Sequence, residues 1–161
     1  MPTEIKQINV LIIGNGHYAT GSTPLEVKTD KAWGVILPSV LELRRQGLVG
    51  QIAIAGKNGS KFAQLEKKIK IMSKKFGWDG NIVFYPKNNK VDDKAFAEAL
   101  HNLPKPLAVI IAVPDFLHKP MIMAAIEKGG HFLVVKPAVT KLADLKEIIK
   151  AQEKRQVLGL V

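Results

Sequence analysis

A glycine-rich turn follows the first apolar segment of the chain, and its spacing suits phosphate binding. The segment 9–13 (NVLII) runs directly into GNGHYA, where Gly14, Gly16 and Ala19 keep a G-x-G-x-x-A spacing. The first glycine of such a turn bends sharply, the second lets backbone approach a pyrophosphate, and the small third residue lets a helix pack closely. The spacing alone leaves open a ligand-free bend after a buried strand. The candidate ligand contacts in this turn are Gly14, Asn15, Gly16, His17 and Tyr18.

A second group of polar residues follows the apolar segment 52–55, in the run Gly56-Lys57-Asn58. Sheets that bind a dinucleotide present the adenosine-ribose contact at this place, and an NAD site usually has Asp or Glu there. The carboxylate is missing here, and a lysine can meet the 2'-phosphate of NADP where a carboxylate would repel it. The sequence therefore favours NADP, with NAD as the alternative cofactor. A basic turn on the surface is the competing interpretation of Gly56, Lys57 and Asn58.

Six apolar segments of strand length alternate with helical patterns and would position these groups. The strand-like segments are 9–13, 52–55, 82–85, 108–113, 132–135 and 157–161, mostly β-branched or aromatic and bounded by turn residues. Helices are predicted over 35–46, 62–76, 92–100 with Asp92 as its cap, 119–128, and 141–154 behind Thr140. This alternation predicts an α/β fold with a doubly wound, parallel six-stranded sheet of order 3-2-1-4-5-6 and helices on both faces. Ligands of such sheets bind where the strand order reverses, so the glycine turn would lie in that crevice.

Length and composition exclude several kinds of protein. The chain has 161 residues, of which 47% are hydrophobic, enough for one domain with its own core. It has no run of about 18 apolar residues and no signal-peptide pattern, so we expect a cytoplasmic protein with no membrane partner. The chain has no cysteine, and its four histidines lack a metal-ligand spacing. No metal site is therefore expected, and redox chemistry would need a bound organic cofactor.

The chain is strongly basic, with 24 Lys and Arg against 14 Asp and Glu and a formal net charge of +10. Such a charge favours anionic partners but does not choose among them. Most of the lysines lie in helical patterns and are interpreted as solvated helix faces; they are Lys67, Lys68, Lys70, Lys74, Lys75, Lys146, Lys150 and Lys154. No nucleic-acid partner is expected, because the lysine-rich helices lack the interleaved aromatic residues on which bases stack.

A polar stretch at 20–31 (TGSTPLEVKTDK) interrupts the chain where the first helix should already have begun. It is interpreted as an insertion. Two roles remain open for it: a surface loop that delays the helix, or a flap over a bound cofactor.

Three motifs in the second half of the chain carry a family resemblance. They are Val113 to His118 (VPDFLH), Ala125 to His131 (AIEKGGH) and Val135 to Pro137 (VKP). Together with the glycine turn, this ordered set resembles the Rossmann domain of the Gfo/Idh/MocA family of NAD(P)-dependent oxidoreductases. The family has T-P-x-x-x-H after strand four, a helix ending in A-x-x-x-G-x-H, and E-K-P after strand five. The resemblance covers nearly the whole chain.

The resemblance implies roles for particular residues. Lys136 matches the family's motif lysine, which sits beside the nicotinamide and the reacting carbon, and is therefore the expected catalytic residue. A lysine near a substrate hydroxyl can donate to developing negative charge or share a proton. The expected cofactor contacts include Val113, Pro114, His118, Lys136 and Pro137, although a capping or packing role for His118 remains open. The implied substrate is a small molecule such as a sugar or polyol.

The sequence also departs from the family pattern. Val135 replaces the usual glutamate, and Asp115 stands where the family often has asparagine. Family members continue into a second α/β domain that supplies substrate specificity and most of the oligomer interface. The chain, residues 1–161, is therefore interpreted as the N-terminal dinucleotide-binding domain of a longer, homo-oligomeric enzyme, inactive alone. The alternative is a non-catalytic redox sensor or regulatory module that kept the dinucleotide pocket.

Overall fold

Six parallel strands form a single sheet in the computed structural model, which describes residues 6–21 and 32–161. The strands are β1 Ile8–Ile13, β2 Val49–Ala55, β3 Val83–Tyr85, β4 Leu107–Ile111, β5 His131–Val134 and β6 Gly159–Leu160. Their order is β3-β2-β1-β4-β5-β6, and every neighbouring pair is parallel. The predicted doubly wound sheet and its strand order are confirmed.

Six α-helices connect the strands within the described residues. They are α1 His17–Thr20, α2 Ile36–Arg45, α3 Phe62–Phe76, α4 Ala95–Asn102, α5 His118–Lys128 and α6 Leu142–Arg155. Single 3-10 turns at Gly59–Lys61 and Asp115–Leu117 precede α3 and α5. None of the described helices is long and apolar enough to cross a membrane. The cytoplasmic location stays a prediction.

Two apolar cores cover the two faces of the sheet. Successive side chains of a strand point to opposite faces, so Val10 and Ile12 of β1 join one core, and Leu11 and Ile13 join the other. The first core is completed by α2 and α3, and the second by α4, α5 and α6. Helices on both faces therefore enclose the sheet, which leaves its carboxyl-end edge available for a site.

The start of α4 differs from its prediction. Asp92 is not the cap, because the helix begins at Ala95 behind Lys94. The Asp92 carboxylate instead accepts a hydrogen bond from the Lys94 backbone N–H at 2.8 Å. The helix start therefore lies beyond a short polar turn, which places two aspartates in the loop before it.

Lys68 is the main exception to the solvated lysine faces that the sequence predicts. It is 1% exposed, and its Nζ donates to the backbone oxygens of Thr20 and Ala32, the latter at 2.6 Å. Burial lowers its pKa to about 8. The sequence prediction for Lys68 was wrong because the face of α3 that carries it packs against the end of α1 and is not exposed to solvent.

The predicted insertion at 20–31 falls mainly on residues outside the described part of the chain. Gly21 and Gly34, which flank that gap, approach each other so closely that a Cβ on either would lie 2.5 Å from the other's backbone nitrogen. The Val35 N–H also donates to the Tyr18 carbonyl oxygen at 2.8 Å. The chain thus returns at Gly34 to the place that it left at Gly21, and α2 starts beside α1.

Candidate cofactor site

A cavity of about 520 Å³ lies at the carboxyl ends of β1, β2 and β4. β1 is paired with both β2 and β4, so these three strands end side by side where the strand order reverses. The Gly14 N–H donates to Ala55 at 2.8 Å, and the Ala112 N–H donates to Ile13 at 2.8 Å, which keeps the three strand ends level. This is the position at which doubly wound sheets bind their ligands.

Gly14 and Gly16 shape the turn between β1 and α1. Gly14 has a φ of +112°, and a Cβ there would lie 2.2 Å from the Ala112 carbonyl oxygen, so no larger residue fits. Gly16 is different, because its φ of −77° suits any residue and a Cβ there would meet no atom within 4 Å. Gly14 is thus fixed by the protein itself, whereas the space beside Gly16 is open to a ligand.

The end of β2 forms the next part of the cavity through Gly56 and Lys57. A Cβ at Gly56 would come within 3.0 Å of the Asn15 side chain, so Asn15 would have to move before a side chain could stand there. Lys57 is exposed. The amide oxygen of Asn58 is occupied within its own turn, since it accepts from the Ser60 N–H at 3.0 Å and from the Ser60 hydroxyl at 2.7 Å.

The loop between β3 and α4 folds back onto the end of β2. Asn58 and Val91 form an antiparallel bridge, and the Asp92 N–H donates to the Lys57 carbonyl oxygen at 2.8 Å. As a result Asp92 and Asp93 line the same cavity as Lys57. This contact could not be predicted from the sequence, because it joins two loops that are more than thirty positions apart.

Apolar side chains from the second half of the chain line the rest of the cavity. Phe116 is 76% exposed although it lines the cavity, which leaves its ring available to a ligand. Apolar walls with a few polar groups are the usual composition of cofactor sites. The lining residues of this part are Ala95, Phe96, Ala112, Val113, Pro114, Phe116, Leu117 and Met121.

His118 is buried, with 1% of its surface exposed, and it does not line the cavity. Its Nδ1 lies 2.9 Å from the Pro137 carbonyl oxygen, and its Nε2 lies 2.8 Å from that of Val113. The imidazole therefore joins the loop after β4 to the loop after β5, and this contact holds both loops in place.

Lys136 and Pro137 follow β5 and are exposed. Neither lines the cavity. The Val135 N–H donates to the Ile111 carbonyl oxygen at 3.0 Å, so the residue before Lys136 is fixed to the end of β4. Lys136 thus starts from the same edge of the sheet as the cavity, one strand further along.

A smaller groove of about 350 Å³ adjoins the glycine turn on the α3 side. It is lined by His17 and shares Asn15 and Gly16 with the larger cavity, while Lys61 and Gln64 come from the region of α3. Tyr18 lines neither space, although it is 49% exposed. The glycine turn therefore separates two openings, of which the larger has the apolar walls.

The structure thus brings one part of the predicted set together and leaves another apart. The predicted residues that line the large cavity are Gly14, Asn15, Gly16, Gly56, Lys57, Val113 and Pro114. Those that do not are His17, Tyr18, Asn58, His118, Lys136 and Pro137. Lining residues that the sequence analysis missed include Asp92, Asp93, Phe96, Phe116 and Met121. Within residues 6–21 and 32–161, no group of His, Cys, Asp and Glu side chains could hold a metal ion.

Solved structures share this fold at low sequence identity. The WlbA dehydrogenase from Bordetella pertussis, solved with NADH and UDP-GlcNAcA, is 16% identical with a TM-score of 0.58, over 97% of this chain and 37% of that one. A biliverdin reductase from a Synechocystis species, solved with biliverdin and NADP⁺, is 18% identical with a TM-score of 0.60, over 96% and 37% of the two chains. A 3-ketoreductase from Actinomadura kijaniata, solved with TDP-benzene and NADP, is 21% identical with a TM-score of 0.55, over 96% and 38%. The chain therefore spans less than two fifths of the length of these structures.

The family is shown by sequence rather than by these distant structures. No curated protein sequence matches the chain significantly. The model of the oxidoreductase family with an NAD-binding Rossmann fold, however, matches residues 8–161, which include the glycine turn and all six strands. The chain belongs to the Gfo/Idh/MocA oxidoreductase family and forms its NAD-binding Rossmann domain.

Proposed function

We propose that the large cavity binds NADP or NAD and that the domain is the cofactor-binding part of an oxidoreductase. The observation that carries this proposal is the space beside Gly16, where a Cβ would meet nothing within 4 Å although the turn around it is tightly packed. A pyrophosphate fits that space, because Gly16 brings no side chain into it. The bound nicotinamide would supply the hydride acceptor or donor, and the protein would bind and orient it.

The remaining cavity residues would each contact a different part of the cofactor. Lys57 would meet the adenosine end, and the loop after β4, with Val113 and Pro114, would contact the middle of the cofactor. Lys136 would stand near the nicotinamide, on the neighbouring strand end, and hydrogen-bond to the substrate oxygen. As a neutral amine it would accept the hydroxyl proton when the alcohol is oxidised, and as an ammonium it would donate a proton to the oxygen when the carbonyl is reduced. His118 would act indirectly, by holding the loops after β4 and β5 together.

Among the two nicotinamide cofactors we propose NADP as the preferred one. Lys57 lines the cavity, and the segment that directly follows β2 has no Asp or Glu, where NAD sites usually have one. The solved relatives named above were bound to either NADH or NADP, so they do not decide between them.

A titration tests both the binding and the preference. Fluorescence titration with NADPH and NADH at one fixed salt concentration should show binding of both and tighter binding of NADPH. Replacing Lys57→Ala should weaken NADPH by about tenfold or more and leave NADH nearly unchanged, because a charge-assisted contact contributes about 1.5–3 kcal/mol. Lys67→Ala, an exposed lysine of α3 that lies outside the cavity, is the matched control. Equal losses with both nucleotides would show that Lys57 acts only through the net charge.

The substrate is proposed to be a carbohydrate-like small molecule with a hydroxyl group that can be oxidised. Two of the solved relatives were bound to nucleotide-linked compounds, UDP-GlcNAcA and TDP-benzene, while the biliverdin reductase was bound to a tetrapyrrole. The protein groups that bind the substrate are proposed to lie on a second domain of a longer chain, which would form a homo-oligomer. The reason is that the present domain spans less than two fifths of the length of each of these structures.

A redox sensor or regulatory module is the second candidate, and Val135 is the observation that favours it. Valine at this place cannot pair with the neighbouring Lys136 as the family's usual glutamate could. If a longer chain that includes the proposed second domain bound the nucleotide but showed no turnover, the result would support the regulatory module rather than the enzyme.

A further inference from the structure

The cavity is lined by acidic as well as basic residues near the end of β2. Lys57 contributes one ammonium group, and Asp92 and Asp93 contribute two carboxylates from the loop between β3 and α4. Within the part of the chain that the structure describes, none of these three side chains takes part in a salt bridge. The carboxylates therefore do not neutralise Lys57 by direct pairing.

Backbone contacts fix this arrangement. The bridge between Asn58 and Val91 and the hydrogen bond from the Asp92 N–H to Lys57 keep the two loops together. A second bond joins the Gly59 N–H to the Lys90 carbonyl oxygen at 2.9 Å. The two aspartates stay beside the end of β2 for this reason, and not by chance orientation of a long side chain.

A carboxylate at Gly56 would require the Asn15 side chain to shift. A side chain at Gly56 would come against Asn15, at 3.0 Å from its Cγ. The carboxylate function that is missing from the end of β2 is thus available from a different loop. A neutral ribose hydroxyl can donate to such a carboxylate, whereas a phosphate is repelled by it.

We propose that Asp92 and Asp93 oppose Lys57 and narrow the preference for NADP, so that the site accepts both NADP and NAD. Lys57 attracts the 2'-phosphate of NADP, and the two carboxylates repel that phosphate and accept a hydrogen bond from the free 2'-hydroxyl of NAD. This inference rests on the proposed binding of a nicotinamide cofactor in the cavity. It adds that cofactor choice is set by three residues on two loops rather than by Lys57 alone.

The test removes the negative charges without changing the size of the side chains. NADPH and NADH are titrated at fixed low salt, where charge effects are least screened, against the unchanged protein, Asp93→Asn, and the double variant Asp92→Asn with Asp93→Asn. Asparagine retains a side-chain oxygen that can accept from the Lys94 N–H, so the turn at Asp92 can persist. Asp93→Asn alone leaves that turn untouched, and circular dichroism checks the fold of each variant.

The expected result is a change in the ratio of the two affinities. NADPH should bind about five- to tenfold more tightly to the double variant, because two like charges near the phosphate are removed. NADH should bind equally well or less well. Glu98→Gln is the matched control, because it removes one negative charge from an exposed position on α4 outside the cavity, and it should leave the ratio unchanged.

The possible outcomes distinguish a failure of this inference from a failure of the proposed cofactor binding. Binding of both nucleotides with the same affinity ratio in every variant would overturn the inference and leave the cofactor site intact. A shift as large in Glu98→Gln would also overturn it, because the effect would then come from net charge. Binding of neither nucleotide to the unchanged protein would overturn the proposed function and this inference together.

Discussion

Gly14 and Gly16 stand two positions apart in one turn, yet the structure gives them different constraints. A side chain at Gly14 would collide with the Ala112 carbonyl oxygen, and its φ of +112° is strained for any other residue. Gly16 has neither constraint within the protein. The need for glycine at this second position would therefore come from the ligand rather than from the fold.

Substitution at these two glycines should separate stability from binding. Gly16→Val should leave the fold intact and weaken NADPH binding by about tenfold or more, because its side chain would occupy the proposed pyrophosphate space. Gly14→Ala should instead lower the thermal midpoint by several degrees, since strain of about 1–3 kcal/mol is added to the folded state. Thermal unfolding and nucleotide titration of both variants measure the two effects. Unchanged affinity in a folded Gly16→Val protein would contradict pyrophosphate binding at this turn.

The contact between α3 and the end of α1 depends on Lys68, which donates to the carbonyl oxygens of Thr20 and Ala32. Its ammonium also lies 6.0 Å from the centre of the Trp33 ring. Lys68 of α3 thus contacts the backbone at Thr20 and at Ala32, on both sides of residues 22–31. We expect this contact to stabilise the region beside the glycine turn.

Replacing Lys68→Met should destabilise the protein by about 1–3 kcal/mol, because buried carbonyl oxygens lose their donor while an apolar chain of similar length remains. Lys67→Ala is the control on the same helix; it is exposed and should change the free energy of unfolding by less than about 0.5 kcal/mol. Urea unfolding of both variants at neutral pH measures the difference. Equal stability of Lys68→Met and the unchanged protein would show that the Lys68 contact does not stabilise this region.

The difference in free energy of unfolding between the unchanged protein and Lys68→Met should depend on pH, because Lys68 is a buried amine. Burial lowers the pKa of Lys68 from its usual 10.5 to about 8. Between these values the unfolded chain holds the proton and the folded protein has released it, so the free energy of unfolding rises with pH in this window. The stability of the unchanged protein relative to Lys68→Met should therefore increase from pH 8 to pH 10, and urea unfolding at both pH values measures it. A constant difference would contradict the lowered pKa.

The sheet could be predicted from the sequence because its evidence is local. Each strand is a short apolar run, and the alternation with helices leaves few possible strand orders. The ends of the elements have a weaker local signal, and the last strand is Gly159–Leu160 rather than the predicted 157–161. The prediction that Asp92 caps α4 used only its immediate neighbours, so it missed the polar turn before the helix.

The lining of the cavity could be predicted where a motif or a strand end supplies neighbouring residues. Gly14 to Gly16 of the glycine turn, Gly56 and Lys57 after β2, and Val113 and Pro114 after β4 all line it. Asp92 and Asp93 reach it through pairing between two loops, and Phe116 through the shape of the 3-10 turn that carries it. Neither the loop pairing nor the shape of the 3-10 turn produces a periodic pattern or a motif spacing that could be recognised in a single sequence. Lys68 was misjudged for the same reason, because its burial depends on a distant part of the chain.

The molecule as a whole carries the large cavity, which is proposed to bind the cofactor, and the exposed Lys136, which is proposed to act on the substrate. Its two apolar cores enclose the sheet, so the domain should fold by itself and keep the cavity. Lys136 stands exposed outside the cavity, and no described part of the chain covers it. We therefore expect cofactor binding to be a property of these 161 residues and turnover to be a property of the longer chain.

The 161-residue chain should bind NADPH and show no dehydrogenase activity above background with a panel of sugars and polyols. Hydride transfer needs the substrate carbon held against the nicotinamide, and such positioning can supply about 7–11 kcal/mol of the barrier. A longer chain that includes the proposed second domain should recover turnover, measured as the change in nicotinamide absorbance. In that protein Lys136→Ala should lower kcat by more than it weakens NADPH binding, whereas Lys141→Ala, an exposed lysine ahead of α6, should alter neither. Robust turnover by the 161-residue chain alone would show that the essential substrate groups already lie within it. Loss of NADPH binding equal to the loss of kcat in Lys136→Ala would make Lys136 a cofactor contact rather than a catalytic residue.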